Sequence, residues 1–179
     1  MENITSSIYD RILFFFYGCL FFFTPLIVYH KTSELFEFNK MLFIYFVTAC
    51  VLFIWFLKMI IYKRIIIKRT FLDIPFLLFF ITQLISTLFS IDRHTSFFGY
   101  YGRFNGGLLS LIVYLVLFYA FVSTFSKVSD IYKLLKISLF SSFLVIIIGI
   151  PGKMGHDFLC YIFTGHFTNA CWTAQFQPA

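Results

Sequence analysis

A chain of 179 residues with 60% apolar and only 12% charged side chains, and a mean hydropathy of +0.90, is not built for water. Soluble domains carry roughly a quarter of their residues as charged groups, and half that supply leaves apolar surface facing outward on every side. The net charge of +6 calls for no nucleic-acid partner, because the basic residues lack a soluble domain to present them.

Five apolar runs follow one another along the chain. Ile12 to Tyr29 is uncharged over 18 residues, between Arg11 and Lys31. Met41 to Leu57 is uncharged over 17, and Lys58 can snorkel from a helix that continues to Tyr62. Ile74 to Ile91 gives 18, Phe104 to Ser126 gives 23, and Ile137 to Gly152 gives 16 with a helical lead-in from Ser129. A helix needs roughly 20 largely apolar residues to cross about 30 Å of hydrocarbon. The runs predict an all-α polytopic transmembrane helical bundle with spans at about 12–29, 41–62, 74–91, 106–126 and 131–150. Continuous rather than alternating apolarity excludes barrel strands, and in lipid a helix satisfies its backbone groups within itself.

Local signals refine the ends. Asp73 is a candidate N-cap with Pro75 in the first turn, where a missing N–H costs little. Pro25 should bend the outer end of the first span, and Gly149, Pro151 and Gly152 close the fifth. Thr82, Gln83, Ser86, Thr87 and Ser90 recur at helical spacing on the third span, and Ser138, Ser141 and Ser142 on the fifth. Such stripes are expected to face neighbouring helices. A substrate path is the alternative, but no Asp, Glu, Arg or His lies near the centre of a span, against ion-coupled transport.

Charge sets the expected orientation. With the N-terminus inside, the inner loops hold Arg11, Lys58, Lys63, Arg64, Lys68, Arg69, Lys127, Lys133 and Lys136. The outer side holds Lys31, Lys40, Arg93, Arg103 and Lys153. This bias predicts N-in, C-out. The first span is too long and aromatic for a signal peptide and lacks a small-residue cleavage site. Residues 1–152 therefore read as one membrane region, and 153–179 as the start of an extracytoplasmic segment.

The third and fourth spans are joined by Asp92-Arg93-His94-Thr95-Ser96-Phe97-Phe98-Gly99-Tyr100-Tyr101-Gly102-Arg103-Phe104-Asn105-Gly106-Gly107. Gly106 and Gly107 permit close backbone approach, and the first amides of the next helix are donors. Arg103 can fork onto a phosphate, Tyr100 and Tyr101 offer stacking faces for sugars, and Asn105 adds a polar side chain. The set suits an anionic headgroup. The alternative is an interfacial turn with Tyr at headgroup depth.

Ser90 to Ser110, which contains this loop, resembles the N-terminal half of bacterial O-antigen ligase-like membrane proteins. Ser33 to Met41 (Ser-Glu-Leu-Phe-Glu-Phe-Asn-Lys-Met) is similar to that group's first outer loop. Cys171 to Pro178 (Cys-Trp-Thr-Ala-Gln-Phe-Gln-Pro) is similar to the segment ahead of its Gly-Gln-Pro-Asn-Trp motif. The resemblance implies a multi-pass glycosyltransferase of the bacterial inner (cytoplasmic) membrane. It would move a glycan from a polyprenyl-diphosphate carrier to an acceptor at the outer face, without cofactor or metal. Family members carry about ten or more helices and their catalytic outer loop in the second half, so this chain reads as a truncated first part and no catalytic residue is carried over. Arg103, Tyr100, Tyr101, Asn105, Gly106 and Gly107 are the candidate carrier-binding residues. A small structural or partner-binding membrane protein, or a transporter fragment, is the alternative.

Cys19 and Cys50 fall within spans as packing residues, whereas Cys160 and Cys171 share the final outer segment. In an oxidising compartment the latter two are a candidate disulfide. His156, Asp157, Cys160 and His166 match no zinc spacing.

Overall fold

The computed structural model describes residues 2–27 and 37–153. Among these the chain is helical throughout, with no strand: α1 is Glu2–Leu26, α2 Glu37–Tyr62, α3 Asp73–Leu88, α4 Arg93–Phe98, α5 Leu108–Thr124 and α6 Val128–Lys153. Three helical stretches, Ile8–Leu26, Glu37–Tyr62 and Val128–Ile150, are long and apolar enough to cross a membrane.

The remaining apolar runs are trimmed. The expected 74–91 span is a helix of 16 residues, and 106–126 one of 17, so each spans about 24–26 Å at 1.5 Å per residue. The cause is local. After Phe89 ends α3, the Asp92 carboxylate starts a separate short helix, α4. Before α5, Gly106 takes φ +83°, which no regular helix tolerates. Asp73 is not an N-cap: it is the first helical residue, and Leu72 occupies the cap without a side-chain bond. Its carboxylate turns back instead to accept from the Thr70 amide (3.1 Å) and hydroxyl (2.7 Å). Pro75 is still within the first turn. Pro25 falls in the last turn of α1, which ends one residue later.

α1 lies between α2 and α6, and α2 also packs on α5. The core joins Leu13 and Tyr17 of α1, Val47, Val51 and Trp55 of α2, Ala120 of α5 with its C-cap Phe125, and Leu134 of α6. Tyr17 is its centre. Its hydroxyl donates to the Leu117 carbonyl at 2.7 Å, and its ring meets Phe121 and Phe125 edge-on at 5.3 and 5.5 Å. Outward faces are apolar rather than polar: Phe15, Phe46, Phe53 and Leu139 are each more than 60% exposed. That surface is compatible with contact to lipid tails and unfavourable in water.

The two polar stripes fare differently. Ser141 is fully buried and donates to the Phe22 carbonyl at 2.6 Å, closing the α1–α6 seam as expected, whereas Ser142 is exposed and donates to the Ser138 carbonyl of its own helix at 2.9 Å. The α3 stripe meets a neighbour only at its end, where the Ser90 hydroxyl accepts from the Ser96 hydroxyl of α4 at 2.6 Å. Thr82, Gln83 and Ser86 are exposed, and the Thr82 and Thr87 hydroxyls bond back to carbonyls of their own helix at 2.8 Å. No residue of α3 is buried, because this helix meets the bundle chiefly through Phe76 on Phe118 (5.0 Å) and Asp73 on Tyr119 (3.0 Å).

The contacts give the bundle two distinct ends. At one, Lys58 meets Asp10, and the Lys68 amide donates to Ser123 Oγ at 3.1 Å. This basic end also carries Lys63, Arg64 and Arg69. At the other, Glu37 meets Arg103, and the Tyr45 hydroxyl donates to the Phe104 carbonyl at 2.5 Å.

Candidate functional site

At the second end, residues 92–107 fold on themselves before α5 begins. Asp92 caps α4: one carboxylate oxygen accepts from the His94 and Thr95 amides at 3.1 and 3.2 Å, the other from the Thr95 hydroxyl at 2.5 Å. The Thr95 hydroxyl is the main reason the Asp92 carboxyl titrates below its usual range, and the two amides add to it. α4 stops at Gly99, whose φ of +93° is left-handed. The chain then makes a tight loop in which the Arg103 and Phe104 amides donate to the Tyr100 carbonyl at 3.0 and 3.1 Å, and the Tyr100 amide to the Asn105 carbonyl at 3.2 Å.

Glycine is demanded here by space. A Cβ on Gly107 would sit 2.3 Å from the Gly99 nitrogen and 2.5 Å from the Phe97 carbonyl oxygen. One on Gly99 would sit 2.2 Å from the Asn105 carbonyl oxygen. The close approach at Gly107 is thus already made, by the loop's own backbone. Gly106 is open, with nothing within 4 Å of a would-be Cβ.

Each candidate residue has a definite place. Tyr100 and Tyr101 project outward at 71% and 90% exposure, with the Tyr101 ring 6.1 Å from His94. Arg103 is half exposed, and its Nε lies 3.7 Å from the half-exposed Glu37 carboxylate. The Asn105 side-chain oxygen accepts from the Gly106 amide at 2.8 Å, bracing the turn. Gly107 is the N-cap of α5, which no side chain caps. The structure thus brings all six onto one loop. Tyr45, which with Glu37 holds this loop from α2, is not singled out by sequence, and Glu37 enters only within the Ser33–Met41 stretch; nothing in the local pattern ties either to residues about sixty positions away. α4 was legible in principle, since Asp92 followed by Thr95 is a capping pattern. Cys160 and Cys171 lie outside the described residues, as does the stretch 171–178.

Among the described residues no three His, Cys, Asp or Glu side chains converge as metal ligands. Cys19 and Cys50 are free thiols. Comparison of the chain with protein-family models, curated proteins and solved structures found no match.

Proposed function

We propose that this chain is the N-terminal membrane portion of an O-antigen ligase-like glycosyltransferase. Its part in the reaction is to seat a polyprenyl-diphosphate-linked glycan at the outer face of a bacterial cytoplasmic membrane. One observation carries the reading. The described part of one stretch that resembles the family, residues 37–41 of Ser33–Met41, meets a second, Ser90–Ser110, at one end of the bundle. Arg103 lies 3.7 Å from Glu37, and Phe104 packs edge-on against Phe38 at 5.6 Å.

The chemistry follows from what that end presents. Arg103 can supply a bidentate donor to a diphosphate, and the Glu37 contact, long and solvent-screened, is of the kind worth well under about 1 kcal/mol. A doubly charged ligand outcompetes it. Tyr100 and Tyr101 present their ring faces for the first sugar, while the prenyl tail stays against the apolar flanks of the bundle. The five apolar helices then alternate across the bilayer, with the nine inner cations at the cytoplasmic side.

Binding of a polyprenyl-diphosphate-linked glycan to the purified chain tests the reading. Arg103→Ala should abolish binding, and Arg103→Lys should weaken it about tenfold or more, since an ammonium lacks the fork. Glu37→Gln should leave binding equal or tighter. Unchanged binding by Arg103→Ala would make the loop a structural turn and favour the alternative, a structural or partner-binding membrane protein.

A further inference from the structure

The basic end carries a second feature, independent of the loop. The connection from α2 to α3 is a ten-residue stretch, 63–72, without regular structure. It is held at its middle by the Lys68 amide on Ser123 Oγ. Where it leaves α2, a shallow cavity of about 250 Å³ is lined by Lys58, Tyr62, Arg64 and Ile66.

Charge there is unbalanced. The three nearby carboxylates are already engaged: Asp10 by Lys58, Asp73 by Thr70 and Tyr119, and Asp130 by Lys133 at 3.0 Å. Lys63, Arg64, Lys68 and Arg69 form no ion pair among the described residues; Arg69 feels Asp73 only at longer range. All four are exposed. Ile65 and Ile67 project between the two cation pairs at 84% and 52% exposure, and Phe71 follows them at 90%. Paired cations flanked by large apolar side chains, placed where the apolar helix α2 ends, match a surface that is anionic outside and hydrocarbon beneath.

We infer that the α2–α3 corner binds the phosphodiester headgroup of an anionic membrane lipid. The phosphate seats in the cavity against Arg64 and the flank of Lys58. Lys63, Lys68 and Arg69 hold the neighbouring headgroup region, and Ile65, Ile67 and Phe71 enter the acyl layer. Because this site lies at the opposite end from Arg103, its failure would leave the proposed function untouched.

Native mass spectrometry of the purified chain tests it, in detergent with phosphatidylglycerol or phosphatidylcholine of identical acyl chains. Phosphatidylglycerol adducts should survive preferentially. Arg64→Gln and Arg69→Gln should each weaken them about fivefold, the effect of one cation at a membrane surface. Arg64→Lys should retain them. Lys136→Gln, an equal charge change on α6, should do nothing. Far-UV circular dichroism confirms that variants keep parental helicity, and Lys63→Gln replaces Arg64→Gln if that variant unfolds. Equal retention of the two lipids, or an equal loss with Lys136→Gln, overturns the inference. So does displacement of phosphatidylglycerol by millimolar inorganic phosphate, which would make the cavity a free-phosphate site.

Discussion

The Lys58 ammonium donates to the Asp10 carboxylate across 2.5 Å, joining α2 to α1 at a point where the lysine is only 8% exposed and the aspartate 42%. A lysine expected to snorkel outward from the end of a helix instead turns onto its neighbour. The asymmetry in burial decides what each half of the pair is worth. Removing Asp10 strands a buried ammonium, whereas removing Lys58 leaves a carboxylate that water still reaches.

Asp10→Ala should therefore cost more than Lys58→Met. Buried pairs cost about 3–5 kcal/mol when broken from one side, and the half-exposed aspartate reduces this to about 1–2 kcal/mol. Thermal unfolding of the detergent-solubilised variants measures the order. A larger loss for Lys58→Met would mean that the lysine stem's packing, not the pair, holds α1 to α2.

The loop glycines should rank by geometry. Gly99→Ala and Gly107→Ala force a Cβ to within 2.2 and 2.3 Å of backbone atoms, so the loop must open and Tyr100 and Tyr101 must lose their fixed placement. Gly106→Ala meets open space and suffers only its φ of +83°, a strain of about 1 kcal/mol. Limited proteolysis between residues 98 and 108 should be fast in the first two variants and close to parental in the third.

Acid should loosen both ends through two carboxylates. Asp73 and Asp92 titrate below the usual range, chiefly through side-chain hydrogen bonds from Thr70 and Thr95. Because the folded values are lowered, their stabilisation is fully present above the unfolded pKa of about 4. It is lost as pH falls from there through the folded values. Protection of the His94 and Thr95 amides, their exchange measured against the intrinsic rate at each pH, should fall below about pH 4, and Asp92→Asn should remove that change. Protection that stays constant through this range in the parent would show that the cap contributes nothing.

Orientation is open to direct labelling. With N-in topology, Lys68→Cys should react only with reagents that reach the cytoplasm, and His94→Cys with impermeant reagents applied outside. The reverse pattern would invert the chain and put Arg103 on the wrong face for an outward-facing glycan carrier.

Much of the helical layout was legible in one dimension. Each uncharged run lies within or largely overlaps one helix, since an apolar chain must close its backbone hydrogen bonds locally wherever lipid offers none. The separation of charge between the two ends could also be read this way, because it depends only on residues adjacent in sequence; Pro25, expected to bend a span running on to Tyr29, instead lies one residue before the end of α1.

The pairing of helices could not. Hydropathy does not say that Tyr17 reaches the Leu117 carbonyl, a hundred positions on, or that Ser141 faces a neighbour while Thr82, Gln83 and Ser86 on α3 stay exposed. Those outcomes depend on side-chain shape across seams that sequence does not order. The six loop residues were visible as a cluster, but Glu37 opposite Arg103, and the Gly99 and Gly107 backbones in contact, came only with the tertiary structure. Local composition determined where helices form and which end is basic; packing between distant segments decided which polar groups meet.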